Sequence, residues 1–485
     1  MGKKDYSGRL FVLLLLTWLF CMAMYYHLPE EVSGVRLKKV DLLSEIRIKE
    51  ETPQLDSLRQ ALLAPDTLAP GSLSVPGSDS LLLASQADSL AVKLRDSLYR
   101  VMETAGILRD STGVAIEDFT PGHTGLSRFF DALNRQTVLG RPVRIGVLGD
   151  SFIEGDILVA DLRAQLQQQF GGRGVGFVPM ASQTAQFRPT VEHRFSGWNT
   201  HSLISSRKHR YALPCQVFGV SGAKATAAYK LPARYPCLQP VSRVSLIYEG
   251  NEQTEMRLVC NAGDTIREQL PPTTTITGYT VAGTFTSADF SFTNAKGFRA
   301  LGVVFEDSTG VVVDNFSLRG NSGTPLKELD AARCEEWNRV RPYDLIVLQY
   351  GLNVASDGVV QYDWYRQQMT GVIAYLKTCF PRADILLLGI SDRSRQEDGA
   401  FATMPAVLAL LHTQRRLAQQ TGVVFWNTFQ AMGGENSMVR YVKKGWAAKD
   451  YTHLGFRGGK EIASSLVKSI LKEKKFYDEA DKATW

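Results

Sequence analysis

The sequence predicts an α/β protein in which a parallel sheet with helices on both faces is interrupted by an inserted β-sandwich or jelly-roll domain. An N-terminal transmembrane helix and a flexible tether precede it. Three observations carry this. Apolar strand-like runs alternate with helical periodicity around 143–170 and again from 344 onward. Residues 241–318 break that rhythm with short strands and Thr-rich turns. The first hundred residues hold an apolar run and then low-complexity sequence. The 485 residues leave room for two or three domains, and 44% hydrophobic with 21% charged residues is ordinary globular composition. That composition excludes collagen-like, wholly disordered and polytopic membrane classes. With 55 Lys and Arg against 49 Asp and Glu, net +6 and no long basic block, nothing points to nucleic acid as a partner.

Residues 1–29 form a cytoplasmic flank and anchor. Lys3, Lys4 and Arg9 precede the apolar run 10–26, about 17 residues and so at the lower limit for spanning a bilayer. A signal peptide or a single-span anchor fits. Bulky Met24, Tyr25 and Tyr26 at its end, and Phe20 before Cys21, favour the uncleaved anchor. The positive-inside rule then places everything after Glu30 outside the cytoplasm, in the periplasm or beyond. Residues 30–103 read as a tether: Asp-Ser-Leu recurs at Asp56, Asp79, Asp88 and Asp96 among Pro65, Pro70 and Pro76, with few aromatic residues. A flexible chain of that length has an end-to-end distance near ~50 Å. Its end, 90–102, has the pattern of a short amphipathic helix.

Residues 104–240 are the first part of the α/β domain. Here 126–133 (LSRFFDAL) reads as a helix, 143–148 (VRIGVL) as a buried strand bounded by Gly149, and 158–170 as a second helix. Residues 241–320 are the insert, with VSLIYEG, MRLVCNAG, FRALGVVFEDS and GVVVDNFSLRG as strands; a long antiparallel extension of the main sheet is the alternative. Residues 321–475 resume the alternation, with strands at 344–350, 384–390 and 423–426 and helices at 364–376, 405–421 and 459–472. Residues 476–485 are a tail.

Beyond Cys21, five cysteines leave one thiol over if intramolecular disulfides form, and Cys215 with Cys237 is the candidate pair. No C-x-x-C or H-E-x-x-H appears, and His193, His201 and His209, eight residues apart, match neither a helical nor a strand-like ligand spacing, so a structural metal is not expected.

Gly149-Asp150-Ser151 follows the first strand, at the carboxyl end of the sheet, where open α/β sheets bind ligands. Ser151 there can be a nucleophile or a helix cap. A base stands near the other end of the chain: Asp450 and His453, three apart on one loop, supply a carboxylate and an imidazole. Each could otherwise be structural. Gly222, in GVSGA after the strand-like CQVF, offers a backbone N–H for an oxyanion, and Asn353, after Gly351 and the run DLIVLQY, offers an amide donor or a turn residue. Arg393 and Arg395 lie in the loop SDRSR after another strand, as exposed loop charges or as contacts to a polymer carboxylate.

These four stretches, in this order, resemble the SGNH (GDSL-type) hydrolases: GDS at 149–151, Gly222, Gly-x-Asn at 351–353 and D-x-x-H at 450–453. The resemblance covers roughly residues 140–475 apart from the insert, and it departs from the family at Val354, where Asp is common. It implies a flavodoxin-like three-layer fold, a Ser151–His453–Asp450 triad, and an oxyanion hole of Ser151 N–H, Gly222 N–H and Asn353, with Gly149, Asp150 and Gly351 as motif support. An insert between the Gly and Asn blocks resembles peptidoglycan O-acetylesterases that carry a carbohydrate-binding-like module. The implied function is serine-dependent removal of O-acetyl groups from a cell-envelope glycan, peptidoglycan or another polysaccharide, without metal or organic cofactor. Two rivals stand beside it: an O-acetyltransferase working with a membrane acetyl-donor partner, and a non-catalytic glycan-binding envelope protein.

Overall fold

The computed structural model describes residues 31–32, 35–36 and 114–483, apart from 251 and 398. The apolar run 10–26, nearly all of the tether and the helix expected at 90–102 lie outside the described residues. Glu31–Val32 and Val35–Arg36 form a two-stranded antiparallel ribbon. Among the described residues no helix is long and apolar enough to cross a membrane.

The main sheet runs in the order Val311–Ser317, Val143–Gly149, Leu345–Gln349, Asp384–Leu388, Val424–Trp426 and Ile116–Asp118; the last strand is antiparallel and the rest are parallel. Numbered along the chain, the five parallel strands lie 2-1-3-4-5, the flavodoxin-like doubly wound order. Every residue of Val143–Gly149, Leu345–Gln349 and Asp384–Leu388 is buried, which requires cover on both faces and explains their continuous apolar runs. Helix Val159–Phe170 packs against Phe456–Ala483, and Asp363–Cys379 against Pro405–Thr421. The strand order reverses between Val143–Gly149 and Leu345–Gln349, and ligands bind at such a switch point.

Two antiparallel sheets enclose a second core. One runs Thr273–Phe285, Val241–Gly250, Arg299–Glu306, Gln216–Val220, Trp198–Ser202, with Gly176–Pro179 also pairing Arg299–Glu306. The other runs Asp264–Leu270, Thr254–Cys260, Ser287–Thr293, Lys224–Lys230, Glu192–Ser196. Phe218, Tyr229, Leu246, Leu258, Phe290 and Phe305 from the two sheets share one buried cluster. The insert expected over 241–320 therefore has different limits: its strands begin at Gly176 and end at Glu306, and Val311–Ser317 belongs to the parallel sheet. Polar Glu192–Ser196 and Trp198–Ser202 sit at sheet edges, where little of their surface needs to be apolar.

Buried charge joins the two regions. Arg341 contacts Glu306 at 2.8 Å and Asp314 at 2.6 Å, Arg144 contacts Glu306 at 2.6 Å, and Tyr343 donates to Asp314 at 2.6 Å. Asp314 also accepts from the N–H of Phe177 at 2.8 Å.

The cysteine expectation is corrected. All five described cysteines are free, and Cys215 is buried with its thiol donating to Leu213 O at 3.2 Å, turned away from a bridge to Cys237. Cys334 and Cys379, on facing helices, are the pair that hydrogen-bond.

Candidate active site

The site forms where the chain leaves the switch-point strands. A Cβ on Gly149 would stand 2.7 Å from Ile153 Cδ1 and 2.9 Å from Gln349 O, so glycine lets the two central strands and the following loop close together. Asp150 behind it is fully buried; its Oδ1 accepts from Phe152 N–H at 2.9 Å and its Oδ2 from Asn353 Nδ2 at 3.0 Å. Burial pushes its carboxyl up to about 6, against the pull of those two hydrogen bonds. The loop beyond Ser151 is fixed by Asp156, buried against Arg163 at 3.0 Å, Arg188 at 3.0 Å and the hydroxyl of Thr190 at 2.5 Å. Despite its burial, those guanidinium groups hold Asp156 far below the usual carboxylate range.

Ser151 is buried, and its Oγ lies 3.1 Å from His453 Nε2. His453 Nδ1 lies 2.7 Å from Asp450 Oδ2. Asp450 is acceptor-only when ionised, so the proton belongs on Nδ1, which leaves Nε2 free to accept from the serine hydroxyl. Asp450 Oδ1 accepts from the N–H of Thr452 and of His453, both at 3.0 Å, so the D-x-x-H spacing closes as one turn. Partial burial raises the Asp450 pKa, the N–H and imidazole of His453 with the N–H of Thr452 more than offset it, and the net shift is downward.

This turn is clamped from outside. Tyr451, between Asp450 and His453, has φ 54° and stacks on Phe401 with ring centroids 3.6 Å apart and planes within 7°. Phe401 stands on the hairpin of Ser394–Glu397 and Ala400–Thr403, and Ser394 N–H donates to Tyr451 O at 3.1 Å. Arg393, just before the hairpin, donates to Leu352 O and Ala355 O at 3.5 and 3.3 Å, on the loop that carries Asn353. Arg393 therefore bridges backbone and Arg395 pairs with Asp357 and Glu397, a role neither sequence reading of SDRSR contained.

Gly351 has φ 140°, and a Cβ there would press on Ile390 at 3.1 Å. The Asn353 amide donates to Asp150 and, at 3.2 Å, to Asn321 O. Gly222 does not join this cluster. It lies in an exposed turn between Gln216–Val220 and Lys224–Lys230, a link between the two sandwich sheets.

Neither a family model nor a curated protein matches the chain. Among solved structures, a peptidoglycan O-acetylesterase superposes with TM-score 0.62 over 74% of this chain and 99% of its own, at 21% identity. The chain has the SGNH-hydrolase fold. A family two carbohydrate esterase from Cellvibrio japonicus is 11% identical, with 62% of this chain and 98% of that chain covered and TM-score 0.25. An acetyl xylan esterase is 17% identical over 33% of this chain and 80% of its own, with TM-score 0.25.

Another glycine stands nearer the serine loop, in a stretch that the sequence reading assigned to the insert. Ser317 pairs with Gly149 in the parallel ladder, and Leu318 N–H donates to Gly149 O at 2.9 Å, so the loop 318–323 starts beside the end of the strand that leads into Ser151. Gly320 in that loop has φ 80°, and its N–H has no acceptor among the described residues. Asn321 O, one residue on, holds the Asn353 amide. The sequence reading put the run GVVVDNFSLRG, and this glycine with it, in the insert, whereas Val311–Ser317 pairs in the parallel sheet.

Proposed function

We propose that this protein is an extracytoplasmic serine esterase that removes O-acetyl groups from a cell-envelope glycan. The observation that carries the reading is the continuous relay from Ser151 Oγ through His453 to Asp450, 3.1 and 2.7 Å, at the carboxyl edge of an SGNH sheet. Ser151 Oγ attacks the acetyl carbonyl while His453 Nε2 takes its proton, and Asp450 holds the tautomer and stabilises the imidazolium. The oxyanion is met by the N–H groups of Ser151 and Gly320; the Asn353 amide, whose two N–H groups rest on Asp150 and Asn321 O, joins them by exchanging one of those bonds for the oxyanion. Each such donor is commonly worth about 3 kcal/mol toward the tetrahedral intermediate. Collapse breaks the ester bond, and the leaving sugar oxygen takes the proton from His453. Water then gives a proton to His453 and attacks acetyl-Ser151, releasing acetate and the free serine. These steps use side chains and backbone alone. Residues 1–29 would hold the enzyme in the membrane and 30–103 would let it reach neighbouring polymer.

The test is acetate release from an aryl acetate and from O-acetylated peptidoglycan. Ser151→Ala is expected to lower kcat on both by about 10⁴-fold or more. A variant with parental turnover removes Ser151 as the nucleophile.

A further inference from the structure

We propose that the cleft between the sandwich and the Val311–Ser317 edge of the parallel sheet is a subsite for an uncharged stretch of a glycan chain, with Phe195 as the face on which a sugar ring stacks. The inference deepens the esterase reading and rests on it only for the role of Ser151.

The cleft has a volume of about 430 Å³, within the roughly 300–1,000 Å³ of ordinary ligand sites. Its wall includes part of the loop that follows Ser151. Glu154 and Gly155 on its wall belong to the Ser151 loop, with Glu154 N–H donating to Ser151 O at 3.4 Å, and Ser317 on the opposite wall pairs with Gly149. The sandwich supplies the remaining wall through Phe195, Thr200 and Gln216.

The lining chemistry selects the ligand class. Hydroxyl and amide groups such as those of Ser182, Thr200 and Gln216 alternate with the apolar faces of Phe195, Ile204 and Pro214. The charged groups cancel: Arg188 is spent on Asp156 at 3.0 Å, and Glu154 is paired with Arg319. A wall with hydrogen-bonding groups, apolar faces and no unpaired charge suits a pyranose, which has C–H bonds on its faces and hydroxyls around its rim. It suits an acyl tail less well, because that leaves the polar groups unpaired, and a phosphate-rich chain less well still.

Phe195 is 40% exposed although large and aromatic, and it is braced from behind. The His193 ring lies 5.0 Å from it, and Tyr229 stacks on His193 at 4.6 Å. Burial pushes His193 down to about 4, so the stack stays neutral through the physiological range. A second face, Phe187, is 41% exposed and lies on Gly155, where an added Cβ would come within 2.2 Å of its ring. Gly155 lines the cleft, so Phe187 stands at its rim as Phe195 stands on its wall.

The test uses the full chain and two polymers, O-acetylated peptidoglycan and acetylated xylan, beside an aryl acetate. Phe195→Ala is expected to lower the ratio of polymer to aryl acetate turnover about tenfold, Phe195→Trp to restore much of it, and Trp364→Ala, on helix Asp363–Cys379 and outside the cleft lining, to leave the ratio alone. In a Ser151→Ala background, Phe195→Ala should weaken co-sedimentation with the preferred polymer by a similar factor. The polymer that responds identifies the glycan source. A ratio and a sedimentation curve equal to the parent's overturn the subsite, as does a parent that sediments with neither polymer. If the parent hydrolyses no ester, the esterase reading falls, and sedimentation alone still decides the cleft.

Discussion

At the junction of the sandwich and the parallel sheet, Glu306 lies between Arg144 and Arg341. Burial raises its pKa, but the two guanidinium groups win and hold it at about 2. At the carboxyl edge of the same sheet Asp150 is equally buried, yet among the described residues no lysine or arginine pairs with it. Burial wins there, and its carboxyl rises to about 6. The two regions contain the same kind of group and differ in its partners. Where the fold needs rigid attachment, charge is cancelled by a planar, always-protonated cation. Beside Ser151 the carboxylate is left with an amide and a nearby imidazole, so its charge stays responsive.

Breaking the first side of this comparison should have the largest effect. Arg341→Met leaves Glu306 and Asp314 buried with less compensation, and such a loss costs about 3–5 kcal/mol. Urea unfolding at neutral pH is the measurement, and a loss below about 1 kcal/mol would mean that apolar packing alone holds the sandwich to the sheet.

The second side is tested through pH. A folded pKa of about 6 against the ordinary 3.8 means that the native state binds this proton more tightly than the unfolded chain. Stability from Asp150 is therefore greatest below about pH 4, declines as pH rises to about 6, and stays low above. Asp150→Asn removes the ionisation and should gain about 1–3 kcal/mol at pH 7 relative to its effect at pH 4. Equal effects at the two values would show that Asp150 ionises in the fold at no cost.

A smaller effect separates the clamp from the relay it holds. Phe401 touches Tyr451 and not the reacting atoms, so it is a positioning residue. Phe401→Ala removes a stack of about 0.5–1.5 kcal/mol and is expected to lower kcat about tenfold with little change in KM, while Phe401→Tyr keeps the rate. A fall confined to KM would assign Phe401 to the substrate instead.

The same contrast between regions explains what could be read in the sequence. Ser151 and Asn353 directly follow continuous apolar runs, the pattern of strands buried on both faces, and the Asp450–His453 turn closes through hydrogen bonds within four residues. Local sequence is enough for each. Membership of a sheet is not local. The run at 311–317 looks alike whether it pairs inside a sandwich or beside Val143–Gly149, and pairing across the whole insert decides it. Polar edge strands such as Glu192–Ser196 escaped because an edge can do without apolar alternation, and Phe401 and Arg393 because their partners are distant in sequence.

The smallest expected effect sharpens the point about sheet membership. Gly222→Ala places a Cβ with nothing within 4 Å, in an exposed sandwich turn, and kcat should stay within about twofold of the parent. Gly320→Ala also meets nothing within 4 Å, but φ is 80° there, a conformation costing an L residue about 1–2 kcal/mol. On the oxyanion role proposed for the Gly320 N–H, relief of that strain would re-aim the donor, and kcat on an aryl acetate should fall several-fold with KM nearly constant. The two alanines thus differ in where the backbone leads rather than in what the side chain touches. A rate loss in Gly222→Ala with none in Gly320→Ala would return the oxyanion donor to the sandwich turn, and would mean that the parallel ladder does not decide which glycine faces the nucleophile.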